Sequence, residues 1–175
     1  MKQFVLGFLI LNFSMISKAQ TEKNTWLLGG SAGFSSSSFG DIKETEIAIN
    51  PNFGYFVVDN IAVGLSAIIS SISPDIGDGT TSYALGSGLR YYFTSIGSNS
   101  KLFANGSAAI GRAKTGSDDA LNITAWSISA GPAIFLNKNI AIEMMIGYSS
   151  VKFEAVSDPL NIISVAVGFQ FHFKK

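Results

Sequence analysis

The chain has 175 residues, 47% hydrophobic and only 14% charged, with 18 glycines, 14 phenylalanines and no cysteine, against about 25% charged in ordinary soluble domains. Twelve basic residues balance twelve acidic ones, so no net field draws nucleic acid or an acidic substrate. The lack of cysteine excludes disulfides, thiol catalysis, zinc–thiolate sites and a lipidated N-terminal cysteine.

Lys2 followed by the apolar segment from Phe4 to Phe13, then Ser17-Lys18-Ala19, has the layout of a secretory signal. Residues 1–19 are expected to be cleaved, leaving a single domain over 20–175. The apolar core is shorter than the ~20 residues that a spanning helix needs.

The remainder divides into eight runs whose alternate positions are apolar, the period of a strand. Representative outward sets are Trp26, Leu28, Phe34 (run 25–35), Ile47, Phe53, Tyr55 (45–57) and Val63, Leu65, Ile69 (61–70). Next come Tyr83, Leu89, Tyr91, Phe93 (81–93) and Leu102, Ala108, Ile110 (101–113). The last three runs give Trp126, Ile128, Leu136 (123–136), Ile142, Met144, Ile146 (140–151) and Val165, Phe169, Phe171, Phe173 (162–173). No charge falls on these faces, where one costs about 2–4 kcal/mol at mid-bilayer. The opposite faces carry Asn50, Asn52, Gly88, Arg90, Asn105, Ser127, Glu143, Gln170 and His172, among other small and polar residues.

Apolar outside with polar inside is the pattern of an all-β, eight-stranded antiparallel up-and-down transmembrane β-barrel. A soluble carrier would reverse the two faces. Val58-Asp59-Asn60 and Asn137-Lys138-Asn139 form tight turns, and Thr94–Ser100 a somewhat longer one. Segments 35–44, 71–80, 114–122 and 152–161 are expected to be longer polar loops. Short turns belong to the periplasmic side, which places both termini there. Trp26, Tyr55, Tyr91, Phe93, Phe171 and Phe173 then form a periplasmic aromatic girdle. Pro51 and Pro132 lie inside strands, where each is expected to cause a bulge or a broken ladder.

Motifs for chemistry are weak. Ser98-Asn99-Ser100-Lys101 matches S-x-x-K but falls in a hairpin turn instead of opening a helix. The one histidine, His172, is expected to be a satisfied interior residue. Asp75, Asp78, Asp118 and Asp119 are expected to be solvated loop acids, with no calcium-loop spacing. No catalytic, cofactor or metal site is assigned.

The interior charge network comprises Arg90, Glu143 and Glu46. Arg90 and Glu143 each sit just above the turn end of their strands and are expected to pair across the lumen with Gln170 nearby. Burying either alone would cost several kcal/mol. Glu46 lies near the opposite end and is expected to meet solvent or a loop cation such as Lys114. An eight-stranded barrel is just wide enough to be filled by side chains, so small cavities are expected but no wide pore.

The stretch Pro51–Gly64, with Leu89–Phe93, Gly131–Glu143 and Val167–Phe173, resembles the small outer-membrane β-barrel domain proteins, the OmpA/OmpX/OmpW-like and PorT-like barrels of Bacteroidetes. The resemblance implies the outer membrane of a Gram-negative bacterium, surrounding lipid, help from barrel-assembly machinery during insertion, and a monomer. It leaves three functional classes open: a non-enzymatic structural or surface-interaction barrel acting through extracellular loops, a narrow passive channel for small or apolar solutes, and an enzyme or carrier.

Overall fold

A computed structural model describes residues 21–39, 42–154 and 157–174. The expected signal, residues 1–19, and the cut after Ala19 lie outside them. Eight strands follow one another: β1 Thr25–Phe39, β2 Ile42–Val58, β3 Ile61–Pro74, β4 Thr80–Ser95, β5 Ser100–Thr115, β6 Leu121–Phe135, β7 Ile140–Phe153 and β8 Leu160–Lys174. Each pairs antiparallel with its successor, and β1 pairs with β8 to close an up-and-down barrel.

The alternation read from the sequence is the alternation of exposure. Along β4, Tyr83, Leu85, Leu89, Tyr91 and Phe93 are exposed on the outer surface, whereas Ala84, Arg90 and Tyr92 are buried within. One residue of register slip would exchange those two sets.

The strands run further than the alternation suggested. Residues 35–39 and 42–44 continue the β1–β2 ladder to Phe39↔Ile42, and β5 pairs with β4 up to Thr80↔Thr115. Strand therefore takes most of the loop expected at 35–44 and the ends of those expected at 71–80, 114–122 and 152–161. A sheet that is polar on both faces keeps its ladder but loses the hydrophobic period, so its sequence reads as loop.

Each proline breaks one ladder and leaves the register intact. Pro51 pairs with Gly30 of β1, while the β2–β3 ladder skips from Ile49↔Ile69 to Asn52↔Ser66 without a shift. Pro132 pairs with Leu102 of β5, and the β6–β7 ladder skips from Ala130↔Ile146 to Ala133↔Glu143. The missing N–H is thus confined to one side, and no bulge forms at either proline. Beside it, Gly131 lets the Met144 carbonyl approach so closely that no Cβ could be accommodated. The two register shifts lie instead at Phe56/Val58 and Tyr92/Thr94, both at the turn end.

The end carrying the three short turns also carries both ends of the described chain. Residues 21–24 fold against it. Asn60 N–H donates to the Thr21 carbonyl (2.6 Å) and Asn24 N–H to that of Phe56 (2.9 Å). Lys101 Nζ donates to Thr21 Oγ1 (2.6 Å) and Asn60 Oδ1 (3.0 Å), so the S-x-x-K lysine is a strut between the N-terminal segment and the first turn. Asn60 has φ +66°, the left-handed conformation that a tight hairpin turn demands and Asn tolerates.

Candidate functional site: the lumen

Interior side chains divide the lumen into a filled floor at the turn end and an open cavity above it. All eight strands contribute to the floor. Leu27, Phe56, Ala62, Tyr92, Phe103, Ala133, Phe135 and Ala141 make one buried apolar cluster, which encloses Arg90, Glu143, Gln170 and His172.

Arg90 on β4 and Glu143 on β7 meet across this floor. Arg90 Nη1 donates to Glu143 Oε1 at 2.8 Å and Oε2 at 2.9 Å. The Tyr92 hydroxyl donates a third bond to Oε1 at 3.0 Å. The guanidinium carbon stands 4.8 Å from the centre of the Phe103 ring, a cation–π contact strengthened by desolvation. Glu143 is fully buried, and such a carboxylate is tolerable only with a partner and hydrogen bonds to its oxygens. Here it has both.

Gln170 lies diagonally from Glu143, since Ala141 pairs with Gln170 and Glu143 with Gly168. It does not join the ion pair. It is fully buried, and neither its amide oxygen nor its nitrogen has a hydrogen-bond partner. His172 is 1% exposed, but its ring nitrogens also lack partners, so the expectation of a satisfied histidine is corrected. The ring is held by packing, with centroids 5.3 Å from Phe135, 5.9 Å from Phe56 and 6.3 Å from Tyr92. Its backbone is anchored to Asn139, which accepts from His172 N–H and donates from Nδ2 to the His172 carbonyl, both at 2.6 Å.

Above the floor lies a cavity of about 320 Å³, at the small end of ligand pockets. Arg90, Gln170, Asn52 and Asn105 border it below; Ser66, Ser107, Ser127 and Ser129 line its sides. Its upper wall is apolar, with Ile68, Ile72, Ile123, Val151 and Phe153. Ile123 packs there with Ala84, Ala109 and Ala113.

Glu46 is at this upper level, opposite Ser35 and Ile72, remote in the ladder from Arg90 and Glu143. Lys114 is exposed two residues beyond exposed Arg112, while Ala113 between them is buried. Lys114 thus leaves the wall on the outer face, and Glu46 borders the cavity on the inner one. Asp75 and Asp78 fall in one loop and Asp118 and Asp119 in another. Among the described residues no group of three metal-ligating side chains forms.

The girdle residues sit together at the turn end of the outer surface. Trp26 stacks on Phe53 (5.1 Å) and tilts against Tyr55 (4.6 Å). Tyr91 meets Phe93 at 6.0 Å, and Phe171 meets Phe173 at 5.8 Å. The sequence also carried a second aromatic set that alternation alone did not single out. Tyr83 and Trp126 are exposed near the loop end, and the half-buried Tyr148 lies 5.5 Å from Trp126. Tyr83 and Phe93 bound β4 on the outside, and ten residues of tilted strand between them span roughly 25 Å, the height of a barrel's apolar band.

The larger omission was the floor. Phe56, Tyr92, Phe103 and Phe135 point inward within runs that are apolar on both faces, such as Phe53-Gly54-Tyr55-Phe56-Val57-Val58. Continuous apolarity at the turn end of several strands was the available signal.

No family model matches the chain, and no curated protein does. Among solved structures it is similar to Neisserial surface protein A (NspA), with a TM-score of 0.70 and 15% identity, covering 86% of this chain and 98% of that one. It is similar to the outer membrane protein OprG from Pseudomonas aeruginosa, with a TM-score of 0.52, 14% identity and coverage of 90% and 100%. Ail, the attachment invasion locus protein of Yersinia pestis, gives 0.50, 12%, 87% and 99%. At such identities the likeness is one of fold, and the fold is that of the small eight-stranded outer-membrane β-barrels.

Proposed function

We propose that this chain is a non-enzymatic outer-membrane barrel that presents a closed-bottomed cup at the cell surface. Its turn end and both termini face the periplasm. One observation carries the proposal: the lumen is filled at the turn end by Arg90, Glu143 and the surrounding rings, and hollow toward the loop end. A solute could enter that space but would meet a desolvated ion pair and aromatic packing before crossing.

The outer surface supports the membrane assignment. Among the described residues about thirty large hydrophobic side chains are exposed, far beyond the few hundred Å² of apolar patch usual on a soluble monomer. Aromatic sets at both ends of that band match the two headgroup levels. The likeness to NspA, a surface protein, and to Ail, an attachment invasion locus protein, agrees with a role at the cell surface.

Single-channel recording of purified protein in a planar bilayer tests the cup. No steady porin-like conductance is expected. A stable conductance in the intact protein would replace the cup with the narrow-channel reading, and Arg90→Ala and Glu143→Ala would then show whether the pair is its gate. Recovery from cells as a periplasmic protein soluble without detergent would refute the membrane assignment.

A further inference from the structure

Above the apolar band, the outer wall carries positive charge on one side. Arg112 and Lys114 on β5 and Lys152 on β7 are exposed. The residues alternating with them, Ala113, Val151 and Phe153, pack into the apolar cluster inside, so all three cations point away from the lumen. At the same end β3, β4 and β8 present the neutral Ser71, Ser73, Thr81 and Asn161 outward. None of the three cations forms an ion pair with a described residue. Of the acids in that region, Glu154 is held by Asn122 Nδ2 at 2.6 Å, and Asp118 and Asp119 belong to the loop beyond the strands.

The registers place these cations at one height. Trp26 pairs directly with Phe173 across β1–β8, yet followed through β2 to β7 its partners lead to Ile163, higher on that same strand. The ladders therefore climb toward the loop end in passing from β1 to β8. Lys152 pairs with Thr124, and Thr124 with Ile110. Two strands beyond Ile110, Lys152 stands about level with Arg112, roughly 10 Å from β5. Lys114 is one alternation higher on β5. The exposed Thr124 lies on the strand between them. Directly beneath, on the same side, are the aromatic residues of the loop end. Tyr83 is the ladder partner of Arg112, and Trp126, two residues below Thr124, touches Tyr148. Aromatic residues of that kind mark the headgroup level of a bilayer, and the cations lie immediately outside it.

Resting on the reading of a membrane-inserted barrel with its loop end outermost, we propose that Arg112, Lys114 and Lys152 bind the phosphate of an anionic lipid headgroup in the outer leaflet, with that lipid's chains lying against the face of β4–β7 below. The chemistry is complementary. A phosphomonoester carries up to two negative charges and three acceptor oxygens. The Arg112 guanidinium offers a fork that fits two of those oxygens, and the two ammonium groups add point charges. The Thr124 hydroxyl supplies a neutral donor between them. A zwitterionic headgroup would bring its own cation to the same patch and gain little. Each Lys or Arg at an anionic surface contributes about fivefold in affinity, so three together select strongly even when solvent weakens each contact.

The chain has two tryptophans, and one of them reports on this side. The full mature chain carrying Trp26→Phe is folded into phosphatidylcholine vesicles, with EDTA present so that no divalent cation bridges lipid to Asp118 or Asp119. Quenching of Trp126 by dibrominated phosphatidic acid is compared with quenching by dibrominated phosphatidylcholine. Phosphatidic acid should associate at least about tenfold more strongly, and the preference should shrink in high salt. Replacing the three cations by Arg112→Gln, Lys114→Gln and Lys152→Gln should bring it below about twofold. Arg112→Lys alone should retain most of it, which separates lost charge from a misfolded barrel. Lys174→Gln, at the turn end, should leave it unchanged. Equal quenching by the two lipids, or a preference that survives the triple substitution, would overturn the site while leaving the inserted barrel intact. Absence of quenching by either lipid would instead refute the membrane reading on which the site rests.

Discussion

The two ends of this barrel share one sheet and differ in what fills it. At the turn end every strand sends a buried side chain inward, and the floor has a buried ion pair triply hydrogen-bonded at Glu143. At the loop end the same strands carry serines, alanines and isolated isoleucines around open space, and the β1–β8 ladder stops at Gly33↔Ala166. The backbone ladder alone therefore does not set local stability. Side chains packed across the lumen add to it at the turn end, and the hollow end lacks that contribution.

The sharpest test of that contrast removes a charge at each end. Glu143→Ala leaves Arg90 buried without its carboxylate and should cost about 3–5 kcal/mol. Glu46→Ala, at the partly exposed upper level, should cost under about 1 kcal/mol. Denaturant unfolding of vesicle-reconstituted protein measures both, and equal losses would end the distinction. Replacing the pair together by Arg90→Met and Glu143→Leu should restore most of the stability, since no orphan charge remains.

Packing gives the next effect. Phe103→Ala empties space in the closed floor and should cost about 3–5 kcal/mol. Ile68→Ala enlarges a space already open and should fall near about 2 kcal/mol, the low end for such truncations. A reversed order in the same unfolding experiment would mean that the upper cluster, not the floor, organises the lumen.

Outside the barrel the contrast is between the middle of the apolar band and its rim. Leu65 lies midway between the partners of Tyr91 and Tyr83 on β3, so Leu65→Arg should cost about 2–4 kcal/mol, whereas Tyr83→Arg at the rim should cost about 0–1 kcal/mol. Equal costs would misplace the band. The smallest effect belongs to the hollow wall. Ser107→Ala deletes the 2.8 Å contact between Ser107 and Ser127 hydroxyls and should change stability by about 1 kcal/mol or less.

Where one face was apolar and the other polar, the sequence disclosed strand, face and register together. Val63, Leu65 and Ile69 outside with Gly64 and Ser66 inside is such a case. The two places where it misled share a cause. Ser35-Ser36-Ser37-Ser38 is polar on both faces and reads as loop, though its backbone is ladder. Phe53–Val58 is apolar on both faces, so the inward role of Phe56 was hidden. Period-two reasoning needs contrast between faces, and both ends of this barrel lack it. Arg90 and Glu143 were visible because a charge inside an apolar run stands out, and the structure brings them to 2.8 Å. Gln170 was visible as a neighbour, but its unpartnered amide follows from tertiary placement that no spacing rule encodes. The extent of the β1–β8 ladder depends on two strands at opposite ends of the chain, beyond the reach of any local pattern.

The floor's recruitment of all eight strands also sets an order in time. Neighbouring hairpins can form while the chain is still incomplete, but Glu143 and Arg90 are brought together around the wall only as the sheet curls. His172 enters with the final strand. Joining Thr25 to Lys174 closes a loop of about 150 residues, whose entropy on the logarithmic scale of chain closure is roughly 4 kcal/mol beyond a constant. That cost falls on a single late event, and burial of the rings and the ion pair is the gain that follows it. A chain ending before β8 would hold most of the hairpins and none of the sealed floor, so maturation is read out at the last strand.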